Sequence, residues 1–192
     1  MDSRHLQGEN NMFAIIEKVK KNHQVDIVVF KKNTVEILLE AGNIRLASMF
    51  YVGIYYFQDI APDGGFFERV VINEEILNLL NEEELHAALL HEVGHLKKGH
   101  SEKVRMSGSK ITNLSSELEL EADRWALDHG ADPLALASAL DKLTKRAKEA
   151  DELFSDHVKT SGLMMKILFN IVKLHLWLQH KTRIKHLKRL AR

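Results

Sequence analysis

Residues 83–100 read EELHAALLHEVGHLKKGH, and this stretch decides how the chain folds. With about 100° of rotation per residue, its leucines and Val93 gather on one apolar arc, which predicts an amphipathic helix. His91 and His95 project from the other side, among small alanine and glycine side chains. Because small neighbours leave room beside two imidazoles, we expect one face of this helix to enter the core and the other to form the floor of a cleft.

Within this stretch, His91-Glu92-Val93-Gly94-His95 matches the pattern H-E-x-x-H. Two histidines one helical turn apart face the same way, so both imidazoles can reach one ion. Glu92 is close enough in angle to act on a water at that ion. The pattern predicts a Zn²⁺ site in a metallopeptidase, with Glu92 as the catalytic base. A pair of buried structural histidines is the alternative.

A catalytic zinc takes three protein ligands and keeps one position open, and residues 115–129 offer four carboxylates. On a helical projection Glu119 and Asp123 lie between two apolar groups, whereas Glu121 falls on the solvent face. Carboxylates in an apolar arc are costly unless they are paired or bind metal. We therefore expect Glu119 to be the third ligand and Asp123 to hydrogen-bond the far nitrogen of a ligating histidine. A buried salt bridge for Glu119 and a helix-packing contact for Asp123 are the alternatives.

The remaining pattern predicts a small amino-terminal β-sheet followed by a helical body, an α+β fold. We expect one domain over residues 1–192, with the sheet in about 25–72 and the helices in about 73–192. Ahead of the motif helix we expect a short helix, a hairpin, a longer strand or bent pair, a turn and a further strand. These elements are residues 12–21, Val25–Phe30 with Thr34–Glu40, Asn43–Phe57, Ala61–Gly65 and Phe66–Ile72.

The ends of the later helices are well marked in the sequence. Asn81 with Glu84 forms a capping-box pattern that opens the motif helix. Gly130 should end the following helix, and Asp132-Pro133 should begin the next one. Residues 103–113, with Ser-Gly-Ser at their centre, predict a mobile loop.

Composition narrows the class of protein further. The absence of cysteine excludes a disulfide framework and a thiol nucleophile, and we expect a reducing, cytoplasmic location. Polar residues interrupt the apolar stretch Leu163–Leu178, so a soluble protein is expected. Residues 1–156 carry a net charge of −9 and residues 157–192 carry +9. This asymmetry predicts either a basic arm for a membrane surface or a segment that folds back on the acidic body.

With these motifs the sequence resembles the gluzincin family of the CAAX prenyl protease and the HtpX heat-shock protease. The resemblance rests on residues 83–100 and on residues 119–143, where Glu119, Ala122 and Asp123 match Glu-x-x-Ala-Asp. It implies a zincin-like fold, Zn²⁺ held by His91, His95 and Glu119, and a protein or peptide substrate. Since 23 residues separate His95 from Glu119, no membrane span fits between them, and we expect a soluble, minimal member.

The family's His-Pro and Arg-Ile pair has a shortened counterpart in residues 179–184, without the proline. The resemblance makes His180 and Arg183 candidates for stabilising the oxyanion, and a basic surface tail is the alternative. We expect a zinc-dependent endopeptidase that binds its peptide along a strand among residues 43–72. The segment around Leu163–Leu178 could hold it latent by covering the cleft.

Two further functions stay open at this point. One is an ImmA-like regulatory metalloprotease, although Asp123 stands where that group usually has asparagine. The other is a non-enzymatic metal-containing module that contacts a membrane or nucleic acid through residues 157–192. Such a module would bind liposomes or nucleic acid. Removal of residues 157–192 would abolish this binding, and substitution of Glu92 would leave it unchanged. Basic charge without an ordered aromatic array argues against nucleic acid.

Overall fold

The computed structural model describes most of the chain. The described residues are 3–31, 33–42, 47, 51, 53–60, 66–107, 111–158 and 180–191.

Helices dominate the described chain, and the strands all precede the motif helix. The elements are α1 (Ser3–His23), β1 (Asp26–Phe30), α2 (Thr34–Glu40), β2 (Ile54–Ile60), β3 (Phe66–Asn73), α3 (Ile76–Leu79), α4 (Glu82–Lys97), α5 (His100–Ser107), α6 (Ile111–Asp128) and α7 (Pro133–Val158). Residues 180–190 are helical and are called α8. The predicted α+β class is confirmed.

Within the described ranges the sheet has three strands in the order β1-β3-β2. The central strand β3 pairs in parallel with β1 and antiparallel with β2. Val70 and Ile72 of β3 are fully buried, as expected for the middle strand of a sheet covered by helices. The strand predicted at Phe66–Ile72 is therefore present and takes the central place.

The hairpin predicted for residues 25–40 is wrong. Asp26–Phe30 is a strand, but Thr34–Glu40 is the helix α2. The leucines and the glutamate at the end of this segment favour helix, and this outweighs the strand preference of the β-branched Thr34, Val35 and Ile37. Because β1 takes β3 as its parallel partner, the chain must leave the sheet after Phe30 rather than turn back at once.

Three other boundaries differ from the sequence prediction. The first helix begins at Ser3, well before residue 12. Within the predicted strand 43–57, Ala47 and Tyr51 are helical and the strand begins only at Ile54. The predicted loop 103–113 is mostly the end of α5 and the start of α6. The predicted turn 61–65 and the apolar segment 163–178 lie outside the described residues.

The motif helix α4 is the centre of the fold, packing against α1, α6, α7 and β2. Leu85, Leu89, Leu90 and Val93 on its apolar arc are fully buried. Its other face is buried as well, since His91 and His95 are each at most 5% exposed. In the described part of the chain, no helix is both long enough and apolar enough to cross a membrane.

The predicted ends of the long helices are confirmed. Asn81 accepts from the backbone N–H of Glu84, and the Glu84 carboxylate accepts from the N–H of Asn81, which completes the capping box. Gly130 follows α6 with φ +97°, a conformation that a residue without Cβ adopts freely. Asp132 accepts from the N–H of Ala135 at 2.7 Å and so caps α7.

Glu84 joins this cap to the core. It is 3% exposed, and it accepts hydrogen bonds from Ser138 at 2.6 Å and from Lys142 at 2.7 Å. Burial alone would raise the pKa of Glu84, but the hydrogen bonds from Lys142, Ser138 and Asn81 hold it below its usual value. One carboxylate therefore fixes the start of α4 and docks α7 against it.

We predict that Glu84→Gln lowers the free energy of unfolding by roughly 1.5 kcal/mol, because the hydrogen bond from the partly exposed Lys142 loses its charged acceptor. Since the folded-state pKa is lowered, the contribution of Glu84 is complete above the unfolded pKa of about 4.3 and is lost as the pH falls below it. Urea unfolding at pH 7 and at decreasing pH measures both effects. Glu83→Gln, an exposed neighbour on the same helix, is the control, and equal losses in the two variants would contradict the prediction.

Candidate metal centre

The site is built where α4 and α6 approach closely at Gly94. A Cβ on this glycine would lie 3.1 Å from the carbonyl oxygen of Ala122 and 3.3 Å from the Cβ of Trp125. Contacts this short are tighter than most Cβ contacts, so a side chain here would push the neighbouring atoms back by a few tenths of an ångström. Gly94 thus lets the two helices pack nearly backbone to backbone. The polar face of α4 is thereby brought opposite Glu119 and Asp123 of α6.

Three side chains converge between these helices. The Nε2 atoms of His91 and His95 lie 3.1 Å apart. The carboxylate of Glu119 lies 3.3 Å from Nε2 of His91 and 3.4 Å from Nε2 of His95. Among the described residues, these three form the group of histidine and acidic side chains that could hold a metal ion.

The donor set fits zinc in chemistry and in spacing. Two imidazole nitrogens and a carboxylate leave one position open on a tetrahedral ion, as catalytic sites require. Ligands about 2.0–2.1 Å from a tetrahedral ion lie about 3.3 Å from one another. The two imidazole nitrogens lie 3.1 Å apart, close to that value. Glu119 reaches His91 with Oε2 and His95 with Oε1, and one donor atom from each of the three residues lies within 4.8 Å of the others. The cluster is therefore near the size that a bound ion would require.

Asp123 contacts the far side of His91, as the sequence predicted for a ligating histidine. Its carboxylate lies 2.9 Å from Nδ1 of His91, and both side chains are buried. An acceptor at Nδ1 keeps the proton there and turns Nε2 toward Glu119. The structure brings these residues together, while their role toward a metal stays a prediction.

Arg183 of α8 joins the two carboxylates. Its Nε and Nη2 donate to Asp123 at 2.8 and 2.7 Å, and its Nη1 donates to Glu119. The guanidinium is 4% exposed, so α8 supplies a buried cation to the buried carboxylate of Asp123 and the partly buried carboxylate of Glu119. This contact fixes the described end of the chain, far along the sequence, onto the site.

Burial and the neighbouring charged groups determine the protonation states of these carboxylates and histidines. Burial alone would raise the pKa values of Glu119 and Asp123, but Arg183 and His91 hold both well below their usual range. Both are therefore carboxylates at neutral pH. Burial opposes a charge on His91, yet Asp123 and Glu119 raise its pKa to about 9. At His95 burial dominates and lowers the pKa to about 3.

Glu92 is held by the sheet. Its Oε2 accepts from the backbone N–H of Tyr56 in β2 at 2.7 Å, and the Tyr56 ring stacks on His95 with centroids 4.6 Å apart. Burial, with a smaller contribution from Glu119, raises the pKa of Glu92 to about 7. A carboxyl group with a pKa near neutrality suits a general base.

The two oxyanion candidates have defined partners. Arg183 is engaged with Glu119 and Asp123, as described above. Nδ1 of His180 lies 3.1 Å from the hydroxyl of Thr144, which itself donates to the carbonyl of Leu140 at 2.6 Å. Because the Thr144 proton is used on Leu140, Nδ1 of His180 is the donor in this pair. A neutral His180 therefore carries its lone pair on Nε2.

Sequence reasoning missed two residues behind His95. Nδ1 of His100 lies 2.7 Å from Nδ1 of His95, and His100 also contacts Glu121. Glu121 lies at the surface as predicted, with a side chain that is 37% exposed, but its contact with the buried His100 was not foreseen. The helical projection treated α6 alone, and it could not include the turn at Gly99 (φ +62°) that returns the chain toward α6.

Comparison with known proteins agrees with the class suggested by this site. Residues 61–115 match the model of Peptidase family M48, so the match includes α4 with both histidines and ends before Glu119. No curated protein and no solved structure matches the chain. The match covers 55 of the 192 residues, so this part of the chain is similar to the metallopeptidase family.

We predict that Arg183→Met destabilises the metal-free protein by about 3–5 kcal/mol, because the buried carboxylate of Asp123 and the partly buried one of Glu119 lose their cation. A bound zinc ion would neutralise part of this charge, so the loss should be smaller with zinc than with a chelator. Urea unfolding under both conditions measures the difference. Arg189→Met, at an exposed position of α8, is the control. A loss of stability that is equal with zinc and with a chelator would contradict the prediction.

Proposed function

We propose that the protein is a zinc-dependent endopeptidase that hydrolyses peptide bonds in proteins or peptides. The observation that carries the proposal is the convergence of His91, His95 and Glu119 to within 4.8 Å, with Glu92 beside them. The match to a metallopeptidase family supports it. His91, His95 and Glu119 would hold the ion, and Asp123 would orient His91.

The chemistry that a bound zinc ion supplies is Lewis-acid polarisation of the scissile carbonyl and acidification of water. Glu92 accepts the proton of the attacking water on its carboxylate and later returns it to the leaving amine. The Tyr56 N–H keeps Oε2 of Glu92 in position, so the base needs no large rearrangement. Arg183 keeps Glu119 and Asp123 ionised throughout.

The substrate would bind along β2. The backbone N–H of Asn73 donates to the carbonyl of Gly53 at 2.7 Å. In an antiparallel pair, the backbone groups of successive residues point alternately toward and away from the partner strand. The backbone groups of Ile54, Tyr56, Gln58 and Ile60 therefore point away from β3. The hydrogen bond from Tyr56 N to Glu92 agrees with this alternation. An extended peptide could add to this edge with its scissile bond near Glu92.

The finer identification as a soluble, minimal relative of the CAAX prenyl protease and HtpX is part of this proposal, as is latency until activation. The ImmA-like role and a membrane-surface role remain alternatives. For the latter, Lys181, Lys185, Lys188 and Arg189 line one open depression on α8 together with Asp141 and Ile184. Vesicle binding that survives Glu92→Gln would favour that role.

The first test compares wild type with Glu92→Gln on unfolded casein, with zinc content measured on the same samples. We expect about one zinc per chain in both and a loss of activity of at least about 100-fold in the variant. Glutamine can still accept from Tyr56 N, so the fold should persist. Glu83→Gln is the matched control on the same helix. A chain without zinc would overturn the proposal, and so would a Glu92→Gln protein of wild-type activity.

A second prediction addresses the open edge of β2. Gln58→Pro removes an N–H that points away from β3, so the sheet should keep its pairing. We expect KM for a peptide substrate to rise about tenfold, the value of one hydrogen bond, with the melting temperature nearly unchanged. Gln58→Ala keeps the N–H and serves as the control. An unchanged KM in the proline variant would show that the substrate does not bind along this edge.

A further inference from the structure

A chain of three polar side chains runs from His95 to the protein surface. His100, the first residue of α5, is fully buried. Its Nδ1 lies 2.7 Å from Nδ1 of His95, and the two rings meet edge to face with centroids 4.8 Å apart. Its Nε2 lies 3.2 Å from Oε2 of Glu121, and that oxygen also accepts from Lys103 at 2.9 Å.

The direction of these hydrogen bonds is fixed from the carboxylate end. An ionised Glu121 only accepts, so Nε2 of His100 must carry a proton and donate it. A neutral His100 then has its lone pair on Nδ1 and accepts from Nδ1–H of His95. A neutral His95 has no second proton, so its Nε2 is left with a lone pair. That nitrogen is the one that faces His91 and Glu119.

We propose that His100 and Glu121 are positioning residues that hold His95 in the tautomer and orientation required of a metal ligand. The inference rests on the proposed function of His91, His95 and Glu119. Asp123 positions His91 directly, with its carboxylate 2.9 Å from Nδ1 of His91. Glu121 positions His95 through the imidazole of His100, and Lys103 holds the carboxylate of Glu121 in place.

The location of His100 supports this assignment over simple packing. A buried imidazole needs partners for both nitrogens, and the two nitrogens of His100 find theirs along this one line. Partners of this kind around a ligating histidine fix its tautomer and raise its basicity, and their loss typically costs about 10–100-fold in metal affinity.

The test measures the zinc dissociation constant by competition with a chelating indicator, for wild type, His100→Leu and His100→Asn. Leucine fills the space but accepts no hydrogen bond, so zinc binding should weaken about 10–100-fold. Asparagine offers an acceptor near the position of Nδ1, so it should restore affinity to within a few-fold of wild type. Melting of the metal-free proteins and long-range ¹H–¹⁵N spectra of the imidazoles show whether the fold and the His95 tautomer have changed.

Glu121→Ala keeps the test decisive if His100→Leu does not fold, since Glu121 is partly exposed and its removal should be tolerated. We expect several-fold weaker zinc binding, with Glu117→Ala on the exposed face of α6 as the control. Wild-type zinc affinity in His100→Leu or Glu121→Ala would overturn the positioning role and leave the metal site standing. An asparagine variant as weak as the leucine variant would also overturn it. A wild-type chain that binds no zinc would overturn the metal site and the positioning role together.

Discussion

The close approach of α4 and α6 at Gly94 is the constraint on which the rest of the structure depends. The backbone of Ala122 and the side chain of Trp125 occupy the space that a Cβ would need. A larger residue would push the two helices apart by a few tenths of an ångström, at the place where Glu119 faces both imidazoles. The glycine of the H-E-x-x-H pattern is thus a packing residue that affects the spacing of His91, His95 and Glu119.

Bringing the helices together buries charge, and the fold must compensate for it. Asp123 is buried and Glu119 is partly buried, and burial of an unpaired anion would cost several kcal/mol. Arg183 pairs with both carboxylates through three hydrogen bonds. Because this cation comes from α8, the site is complete only when the distant end of the chain has docked. Folding of the carboxy-terminal helix and assembly of the site are therefore coupled.

The features that the sequence could predict are those with local causes. The capping box at Asn81, the glycine at 130 and the H-E-x-x-H spacing each involve residues a few positions apart, and each lies in the structure as expected. The helical projection also selected Glu119 and Asp123 correctly as the inward carboxylates. Their geometry required only that α6 be a helix with one buried face.

The features that failed depend on contacts between distant segments. Whether residues 34–40 form a strand is decided by the partner that β1 takes, and that partner is β3, about 40 residues further on. The contacts of the exposed Glu121 with His100 and Lys103 were missed because they come from α5, which the sequence placed partly in a loop. Arg183 could be named as a candidate, but its pairing with both carboxylates could not be derived from spacing.

Tyr56 contacts both the sheet and the proposed metal centre, and in the function that we propose it connects substrate binding with catalysis. Its N–H holds Glu92, its ring stacks on His95, and its carbonyl lies on the edge of β2 that no other described strand pairs with. A peptide that pairs with this edge would therefore be placed relative to the base and to a ligand by the same backbone unit. A shift of β2 along β3 would displace the substrate edge and Glu92 together. The register of β2 on β3, fixed by the buried residues of the central strand, is thus part of the catalytic geometry that we propose.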